Sequence, residues 1–406
     1  MAGLRLRGTK DYFGESVQKF DFIVSKASEI FSRYGCSRIS TPIIEHSSLF
    51  QRVGEGSDVV SKELYTFRDR SGRDIALVPE GTASVARAVL ENNLEIPNRL
   101  FYHGPMFRYE RPQKGRYRQF HQIGVEFVGQ PSGLVDVELI SMALHFLKEI
   151  GVKANLKINY LGSHEGRRSY ILALEKFIKD NLDELCSDCF QRMEKNVLRI
   201  LDCKVAKCKE IVRGAPDLMD YLPAKDLHLY GYIKSNLKKL DIKFIEDRKL
   251  VRGLDYYTNV VFEICDDEGV ALLAGGRYDG LYGEMGRDIP ATGFACGIER
   301  LMDLVELKGE KENSIALIPV DEGASVESVS LAEKLRRDNL KVFLHLDGAK
   351  VGKQLKRALN QGVRYAIFMG EDEIKNSTIS LKDLEKSESY SLSYEEAVKL
   401  MKGVKI

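Results

Sequence analysis

The spacing of apolar residues changes several times along this chain, and each change predicts a different element. Over residues 17–34 the apolar positions recur every three or four residues, which predicts an amphipathic helix that ends at Gly35. A short strand is predicted over residues 41–45, and a second helix over residues 84–90. Apolar-rich segments on both sides of residues 108–118 predict two antiparallel strands joined by a turn.

Two later regions differ from this β-rich part. Residues 163–240 are rich in lysine, poor in glycine and helical in spacing, most clearly at 171–180 and 226–239. Strand-like sequence resumes at Lys249, so residues 163–240 are predicted to be a helical insertion.

A charged linker at 308–313 precedes the last part of the chain. Beyond it, strands are predicted at 314–319, 341–346, 365–370 and 378–381, and helices at 325–338, 352–361 and 394–401. Such alternation predicts a small, mostly parallel α/β domain.

Composition narrows the class of protein. A chain of 406 residues with 44% hydrophobic and 30% charged residues is typical of a soluble globular protein of two or three domains. The net charge of +1 excludes a polybasic tail as the means of holding nucleic acid. No apolar run approaches the roughly 18 residues of a membrane span. Seven cysteines and a start without an apolar signal segment predict a cytoplasmic protein that does not contact membranes.

The predicted turn is the most basic stretch of the chain. It contains Arg108, Arg111, Lys114, Arg116 and Arg118. In the strand that follows, period-two alternation places Phe120, Gln122, Gly124 and Glu126 on one face. A glycine between two polar side chains would leave room for a ligand to lie flat on that face. Gln122 and Glu126 would then hydrogen-bond a small cationic or N–H-bearing ligand, while the arginines hold phosphates.

Residues 108–122 read Arg-Tyr-Glu-Arg-Pro-Gln-Lys-Gly-Arg-Tyr-Arg-Gln-Phe-His-Gln and closely resemble motif 2 of the histidyl members of the class II aminoacyl-tRNA synthetases. The helix, strand and proline around Pro42 resemble motif 1, the dimer-interface element of that family, and residues 291–301 resemble motif 3. The resemblance implies an α+β fold, in which a class II antiparallel sheet is flanked by helices. Residues 1–162 and 241–308 would form the catalytic domain, 163–240 a helical insertion domain, and 314–406 an α/β anticodon-binding domain.

The family resemblance also implies an activity and its partners. Such an enzyme activates L-histidine with ATP, with Mg²⁺ accompanying the nucleotide, and transfers histidine to the 3′ end of histidine tRNA. It acts as a homodimer. A paralogue of these synthetases that senses histidine as a regulatory subunit without charging tRNA is the alternative. Such paralogues commonly lack the α/β domain and the ATP-binding arginines, both of which this sequence keeps. A degenerate synthetase domain serving as a tRNA sensor is a second alternative, but no effector segment accompanies it here.

The implied histidine site draws on three further segments. Glu80 and Thr82, in Pro-Glu-Gly-Thr, match residues that hold the amino group of the amino acid. Residues 252–257, Arg-Gly-Leu-Asp-Tyr-Tyr, resemble the histidyl signature. The full set is Glu80, Gly81, Thr82, Gln122, Glu126, Arg252, Tyr256, Tyr257 and Tyr278. Glu126 and Tyr257 would bind the imidazole. Val78 stands where the family usually has arginine, so any role of that arginine is dispensable or supplied elsewhere.

The implied ATP and tRNA contacts are fewer. Arg108 and Arg252 would be catalytic, because they would neutralise charge at the α-phosphate. Arg300, predicted in the first turn of a helix, would hold the γ-phosphate. Glu110 completes the ATP-binding set, and Gln113 and Arg116 in the motif 2 loop would contact the tRNA.

Four cysteines fall in the predicted insertion. Cys186, Cys189, Cys203 and Cys208 form a C-x2-C pair and a C-x4-C pair. This spacing is compatible with a tetrahedral zinc site, but the cysteines could equally be buried thiols, which pack like small apolar residues. The sequence does not decide between these alternatives, and no protein-bound metal is assigned from it.

Overall fold

A large, mostly antiparallel sheet forms the centre of the first part of the chain. The computed structural model describes residues 3–54, 60, 62–113, 115–163, 165–307 and 313–403. Lys114 and most of the predicted linker lie outside the described residues. Two compact units divide the chain, Met1–Glu306 and Leu307–Ile406.

The strands of the first unit, in chain order, are β1 (Ser37–Arg38), β2 (Ile44–His46), β3 (Thr66–Arg68), β4 (Asp74–Leu77), β5 (Asn98–Phe107), β6 (Gln119–Val128), β7 (Asn155–Tyr160), β8 (Ile245–Glu246), β9 (Thr258–Cys265), β10 (Ala271–Arg277) and β11 (Ala291–Gly297). The order in the large sheet is β1-β5-β6-β11-β10-β9-β7-β8. Its first and last pairs are parallel and the others antiparallel. Strands β2, β4 and β3 form a small antiparallel sheet.

The α-helices of this unit are α1 (Glu15–Arg33), α2 (Ser47–Gly54), α3 (Thr82–Glu91), α4 (Gly133–Glu149), α5 (Arg168–Lys179), α6 (Ser187–Lys195), α7 (Ala206–Arg213), α8 (Ala224–Lys239), α9 (Gly280–Glu284) and α10 (Ile298–Met302). Short 3-10 helices cover Leu182–Glu184, Val197–Asp202 and Leu218–Asp220. No helix among the described residues is long and apolar enough to cross a lipid bilayer.

Helices α1 and α4 cover one face of the large sheet. Phe31 of α1 contacts Phe101 of β5 and Phe294 of β11, with ring centroids 5.8 Å apart in both pairs. The same ring lies 5.4 Å from that of Phe146 in α4. Helix α1 ends two residues before Gly35, whose φ of +76° is the left-handed conformation that glycine adopts without strain. The opposite face of the sheet carries the polar residues predicted from motif 2.

The second unit is a mixed five-stranded sheet with helices. Its elements are β12 (Ser314–Pro319), α11 (Ser325–Arg337), β13 (Lys341–Leu344), α12 (Val351–Asn360), β14 (Tyr365–Met369), α13 (Glu371–Asn376), β15 (Ile379–Asp383), β16 (Glu388–Leu392) and α14 (Tyr394–Met401). The order is β13-β12-β14-β15-β16. Strand β12 pairs with its two neighbours in parallel, but the pairs β14–β15 and β15–β16 are antiparallel. The expectation of a mostly parallel sheet is wrong for this half. The unpredicted six-residue helix α13 leads from β14 to an antiparallel β15, and a hairpin joins β15 to the unpredicted strand β16.

Candidate active site

The basic hairpin of motif 2 has the predicted geometry. Strands β5 and β6 pair in an antiparallel register that joins Phe107 to Gln119, and the basic turn lies between them. Gln122 and Glu126 lie on the same face of β6, as the alternation predicts. Their contacts show this, since both accept hydrogen bonds from the beginning of helix α3. The hairpin therefore places the polar residues of motif 2 on the face of the large sheet that lies opposite helices α1 and α4.

The space above Gly124 is filled by Tyr102, which the sequence did not identify. Tyr102 is the cross-strand partner of Gly124, and a Cβ at Gly124 or at Gly81 would overlap its ring. The hydroxyl of Tyr102 donates to Oε1 of Gln122 at 3.2 Å. The expectation that this glycine leaves room for a flat ligand is therefore wrong. Both glycines instead allow a buried aromatic ring to pack between β6 and α3.

The beginning of α3 is built from the Pro-Glu-Gly-Thr segment. The carboxylate of Glu80 accepts hydrogen bonds from the backbone N–H groups of Thr82 (2.8 Å) and Ala83 (2.9 Å). A carboxylate here satisfies N–H groups that have no partner within the helix, and it complements the helix dipole. Oε1 of Gln122 also accepts from the backbone N–H of Gly81, at 3.1 Å. Glu80, Gly81, Thr82 and Gln122 are thus fixed in one small volume.

Glu126 is the most deeply buried acid of this group, with 1% of its surface exposed. The hydroxyl of Thr82 donates to its Oε1 at 2.8 Å, and the hydroxyl of Tyr278 donates to its Oε2. Burial raises the pKa of Glu126 to about 8, although these hydroxyl donors act in the opposite direction. Gly293 of β11 gives this carboxylate its space, because a Cβ there would overlap Oε2.

Three tyrosines surround this acid. The ring of Tyr256 lies 4.8 Å from that of Tyr257 and 5.6 Å from that of Tyr278, between centroids. The hydroxyl of Tyr256 is 3.5 Å from Oε2 of Glu80. Burial raises the pKa of Tyr257 to about 12, so its hydroxyl stays a neutral donor at physiological pH. The signature loop therefore contributes aromatic walls to a polar pocket.

Three arginines lie on the open side of this pocket. Arg108 donates through Nε to the carbonyl of Pro79 at 2.9 Å and stacks on Phe120. Arg252 forms an ion pair with Glu263 at 2.9 Å, and its buried Nε has no partner within the described residues. Arg300 donates to the carbonyls of Gly115 (3.2 Å) and Ala271 (2.6 Å).

Arg300 lies close enough to two other arginines of this side, Arg116 and Arg108, to feel their charges. Burial lowers the pKa of Arg300, and the nearby charges of Arg116 and Arg108 add to this effect. Like charges held close together are an unfavourable arrangement that a bound polyanion would relieve. This side of the site is therefore suited to phosphate groups.

One open cleft, with about 910 Å³ of empty space when its part open to solvent is included, joins the arginines to the pocket. The predicted residues that line it are Glu80, Thr82, Arg108, Glu110, Arg116, Gln122, Arg252, Tyr256, Tyr257 and Arg300. Gly81, Glu126 and Tyr278 lie behind this lining and are joined to it by hydrogen bonds. Gln113 lies in the turn, where it exchanges backbone hydrogen bonds with Arg116. The carboxylate of Glu110 lies 3.6 Å from the guanidinium of Arg116.

Several supporting residues were not found from the sequence. Glu263 orients Arg252, and Glu299 accepts hydrogen bonds from the backbone N–H of His121 and from the hydroxyl of Tyr12. Arg277, next to Tyr278, is 3% exposed and pairs with Asp136 at 2.9 Å. Each of them is one charged residue among the many in this chain, so the sequence alone does not single it out. Val78 is 2% exposed and packs in the apolar cluster of this unit.

Comparisons with known proteins identify the family of this chain. The family model described as "Histidyl-tRNA synthetase" matches residues 8–301, and the model described as "Anticodon binding domain" matches residues 314–403. The histidine–tRNA ligase of Aquifex aeolicus is 45% identical over 390 residues, which are 94% of this chain and 96% of the relative. That of Fervidobacterium nodosum is 44% identical over 401 residues, which are 95% of this chain and 94% of the relative.

A solved structure gives the same result. The crystal structure of apo S. aureus histidyl-tRNA synthetase superposes with a TM-score of 0.82 at 33% identity, covering 99% of this chain and 100% of the other. The predicted fold class, an antiparallel class II sheet with a C-terminal α/β domain, is confirmed. On its sequence, its fold and the residues gathered in this cleft, the chain belongs to the histidyl-tRNA synthetase family.

Proposed function

We propose that this chain is a histidine–tRNA ligase whose cleft activates L-histidine with ATP and then transfers it to histidine tRNA. The observation that carries the proposal is a single cleft with two chemically different ends. Glu80, Thr82 and Gln122 give one end polar groups for a small amino acid, with Glu126 buried behind them, and three arginines give the other end positive charge. Family membership supports the same activity.

The amino acid would bind at the end nearest α3. Glu80 and Thr82 offer oxygen acceptors for the ammonium group, since Oε1 of Glu80 keeps a lone pair beyond its bond from the backbone of Ala83. The amide nitrogen of Gln122 has no partner among the described residues and lines the cleft, so it can donate to the ligand. The backbone of Gly81 holds that amide in place.

Selectivity for histidine would come from Glu126 and the tyrosines around it. An imidazole N–H would be accepted by a lone pair of Glu126 that Thr82 and Tyr278 leave unused, while Tyr257 donates to the other ring nitrogen. An apolar competitor would leave these buried polar groups unpaired. Sites of this kind reject such competitors by about 10⁴–10⁵ without editing.

Activation would take place among the arginines. The carboxylate of histidine attacks the α-phosphate of ATP, and pyrophosphate leaves with the electrons of the broken P–O bond. Arg108 and Arg252 would neutralise the charge that builds at phosphorus, and Arg300 would hold the γ-phosphate. Each positioned charge of this kind is worth roughly 10²–10³ in rate. Mg²⁺ enters with the nucleotide, and Glu110, beside Arg116 in the cleft, offers the oxygen ligand that this ion prefers.

Transfer to tRNA would use other parts of the chain. Gln113 and Arg116, in the exposed motif 2 turn, would contact the end of the acceptor stem, and residues 163–240 would clamp it. Residues 314–406 would bind the anticodon. The match of an anticodon-binding model to residues 314–403 supports this division.

A homodimer in the cytoplasm completes the proposal. The motif 1 region exposes large apolar side chains, with Ile43 46% and Ile44 50% exposed, and Phe67 of the neighbouring strands 48% exposed. Contiguous exposed apolar residues favour a protein partner, and a second copy of the chain is the partner that the family implies.

Charging of tRNA tests the proposal directly. The purified chain should attach labelled histidine to histidine tRNA in the presence of Mg-ATP, and should leave a tRNA of another specificity uncharged. A chain lacking residues 309–406 should still form the adenylate but charge histidine tRNA far more slowly. Equal charging by the truncated chain would contradict the role given to the C-terminal domain.

A further inference from the structure

The sulfur atoms of four cysteines converge in the helical insertion. Cys186, Cys189, Cys203 and Cys208 bring their Sγ atoms within 4.8 Å of one another. Cys189, Cys203 and Cys208 are buried, and Cys186 is partly exposed. The distance between the Sγ atoms of Cys186 and Cys203 is 3.8 Å. This cluster lies outside the residues that line the proposed active site.

The spacing of these sulfurs is that of metal ligands. A tetrahedral zinc ion with Zn–S bonds of about 2.3 Å holds its sulfurs roughly 3.8 Å apart. A disulfide would need about 2.05 Å, and none of the four cysteines forms one. We propose that Cys186, Cys189, Cys203 and Cys208 bind one structural Zn²⁺.

The two short helices that carry Cys189 and Cys208 bury few apolar side chains of their own. Helices α6 and α7 have nine and eight residues. Among the described side chains of α6, Cys189 alone is buried, and in α7 only Cys208 and Val212 are. Short helices with so few buried apolar residues are only marginally stable without a cross-link, and a bound metal ion supplies such a cross-link. Four sulfurs at the centre of such a segment are better explained as ligands than as apolar filling.

The backbone provides a hydrogen bond of the kind that supports metal-bound sulfur. The backbone N–H of Cys186 donates to Sγ of Cys208 at 3.3 Å. Donors of this kind stabilise the negative charge of a thiolate ligand and fix its orientation. Four sulfur ligands with no water position are typical of a structural site rather than a catalytic one.

The proposed ion would also steady the histidyl signature loop. The 3-10 helix Val197–Asp202 lies in the sequence between Cys189 and Cys203. Arg199 of this helix donates to the carbonyl of Gly253, and Asn196, its N-cap, donates to the carboxylate of Asp255. Zinc would thus restrain the segment that contacts residues 252–257, which makes the cysteines positioning residues for that loop.

Metal analysis of the full chain tests the site itself. Protein purified without chelator should contain about one zinc per chain, and the double variant Cys189→Ser/Cys203→Ser should contain less than about a tenth of that. Cys36→Ser is the matched control, because Cys36 is a buried free cysteine of the same unit outside the cluster, and it should retain the zinc. Cobalt in place of zinc should give the intense visible bands of a tetrahedral thiolate site.

A second measurement covers the case in which the double variant fails to fold. Chelation of the wild-type chain should lower its unfolding temperature and raise hydrogen exchange in residues 187–213 by at least about tenfold. Wild-type protein with under about a tenth of a zinc per chain, no cobalt spectrum and unchanged exchange would overturn the site. So would iron in place of zinc, or disulfides within the cluster. These results do not depend on ligase activity, so failure of this proposal is distinct from failure of the proposed function.

Discussion

The hydroxyl of Thr82 donates to the carboxylate of Glu126 at 2.8 Å and joins the first turn of α3 to the middle of β6. These residues are 44 positions apart in the sequence, yet they form the back of one pocket. Tyr278 donates to the other oxygen of the same carboxylate, so three segments of the chain meet at one buried acid. The pocket is therefore arranged before any ligand binds, which reduces the cost of ordering it.

Glu126→Gln should weaken histidine more than ATP. The change keeps the shape of the side chain but removes the carboxylate that Glu126 forms when it gives up its proton as histidine binds, and with it the charged acceptor of an imidazole N–H. A buried hydrogen bond to a charged group is worth about 1.5–3 kcal/mol, or roughly 10- to 150-fold in affinity. Calorimetric titration measures both affinities. Glu91→Gln, an exposed glutamate at the far end of α3, is the matched control and should change neither. Unchanged histidine affinity in Glu126→Gln would refute the role assigned to this acid.

The same substitution should make the ligand-free protein more stable at slightly alkaline pH. The pKa of Glu126 is raised from 4.5 to about 8, so between these values the folded chain keeps a proton that the unfolded chain has lost. Stability is then lost as pH rises across this window, by up to about 1.4 kcal/mol per pH unit, and levels off above it. Glu126→Gln removes this loss. Urea unfolding at pH 5 and pH 8 should show a smaller difference for the variant, and an identical difference would disprove the pKa assignment.

Arg252→Ala should slow adenylate formation by at least about tenfold, with a smaller effect on histidine affinity. Its charge matters most when negative charge builds at the α-phosphate, so the loss falls on the rate rather than on binding. Pre-steady-state measurement of adenylate formation separates the two. Arg248→Ala removes an exposed arginine of the same segment, which pairs with Asp217, and should leave the rate within about twofold. Equal rates for the two variants would contradict the placement of Arg252 at the phosphate.

Gly124→Ala should destabilise the protein by about 1–3 kcal/mol, because the new methyl group would overlap the ring of Tyr102. Gly104→Ala is a matched control on the paired strand β5, where a Cβ would meet no atom within 4 Å. Its unfolding free energy should stay within about 0.5 kcal/mol of the wild type. Chemical unfolding of both variants measures the difference. Similar stabilities would show that the Tyr102 ring does not occupy the space above Gly124.

The sequence predicts those features of the site that depend on one segment of the chain, and it does not predict those that depend on how segments pack together. The face shared by Gln122 and Glu126 follows from strand alternation, which depends only on the residues of one strand. The location of Tyr102 depends on the register between β5 and β6 and on its side-chain rotamer, and neither is encoded within a single segment. The pairing of Arg252 with Glu263 likewise depends on how a loop folds back on the strand that follows it.

The C-terminal unit shows the same limit. Helices α11, α12 and α14 and strands β12 to β15 have clear periodicity, and the sequence predicts them within a few residues of their observed bounds. Helix α13 has six residues, too few to show a helical period, and is not predicted. Strand β16, Glu-Ser-Tyr-Ser-Leu, is a polar strand at the edge of the sheet, so it lacks the apolar pattern of a buried strand. Without β16, the sequence does not predict the antiparallel hairpin of β15 and β16, and the alternation of the other strands and helices indicates a mostly parallel sheet.

Histidine-dependent exchange of pyrophosphate into ATP is the most direct test of the central claim, because only an enzyme that forms the adenylate catalyses it. The purified chain should exchange pyrophosphate rapidly with histidine and Mg-ATP, and essentially not at all with any other standard amino acid. Arg252→Ala should reduce this exchange. Histidine binding in calorimetry without any exchange would contradict the account and would indicate a histidine-sensing protein instead of a ligase.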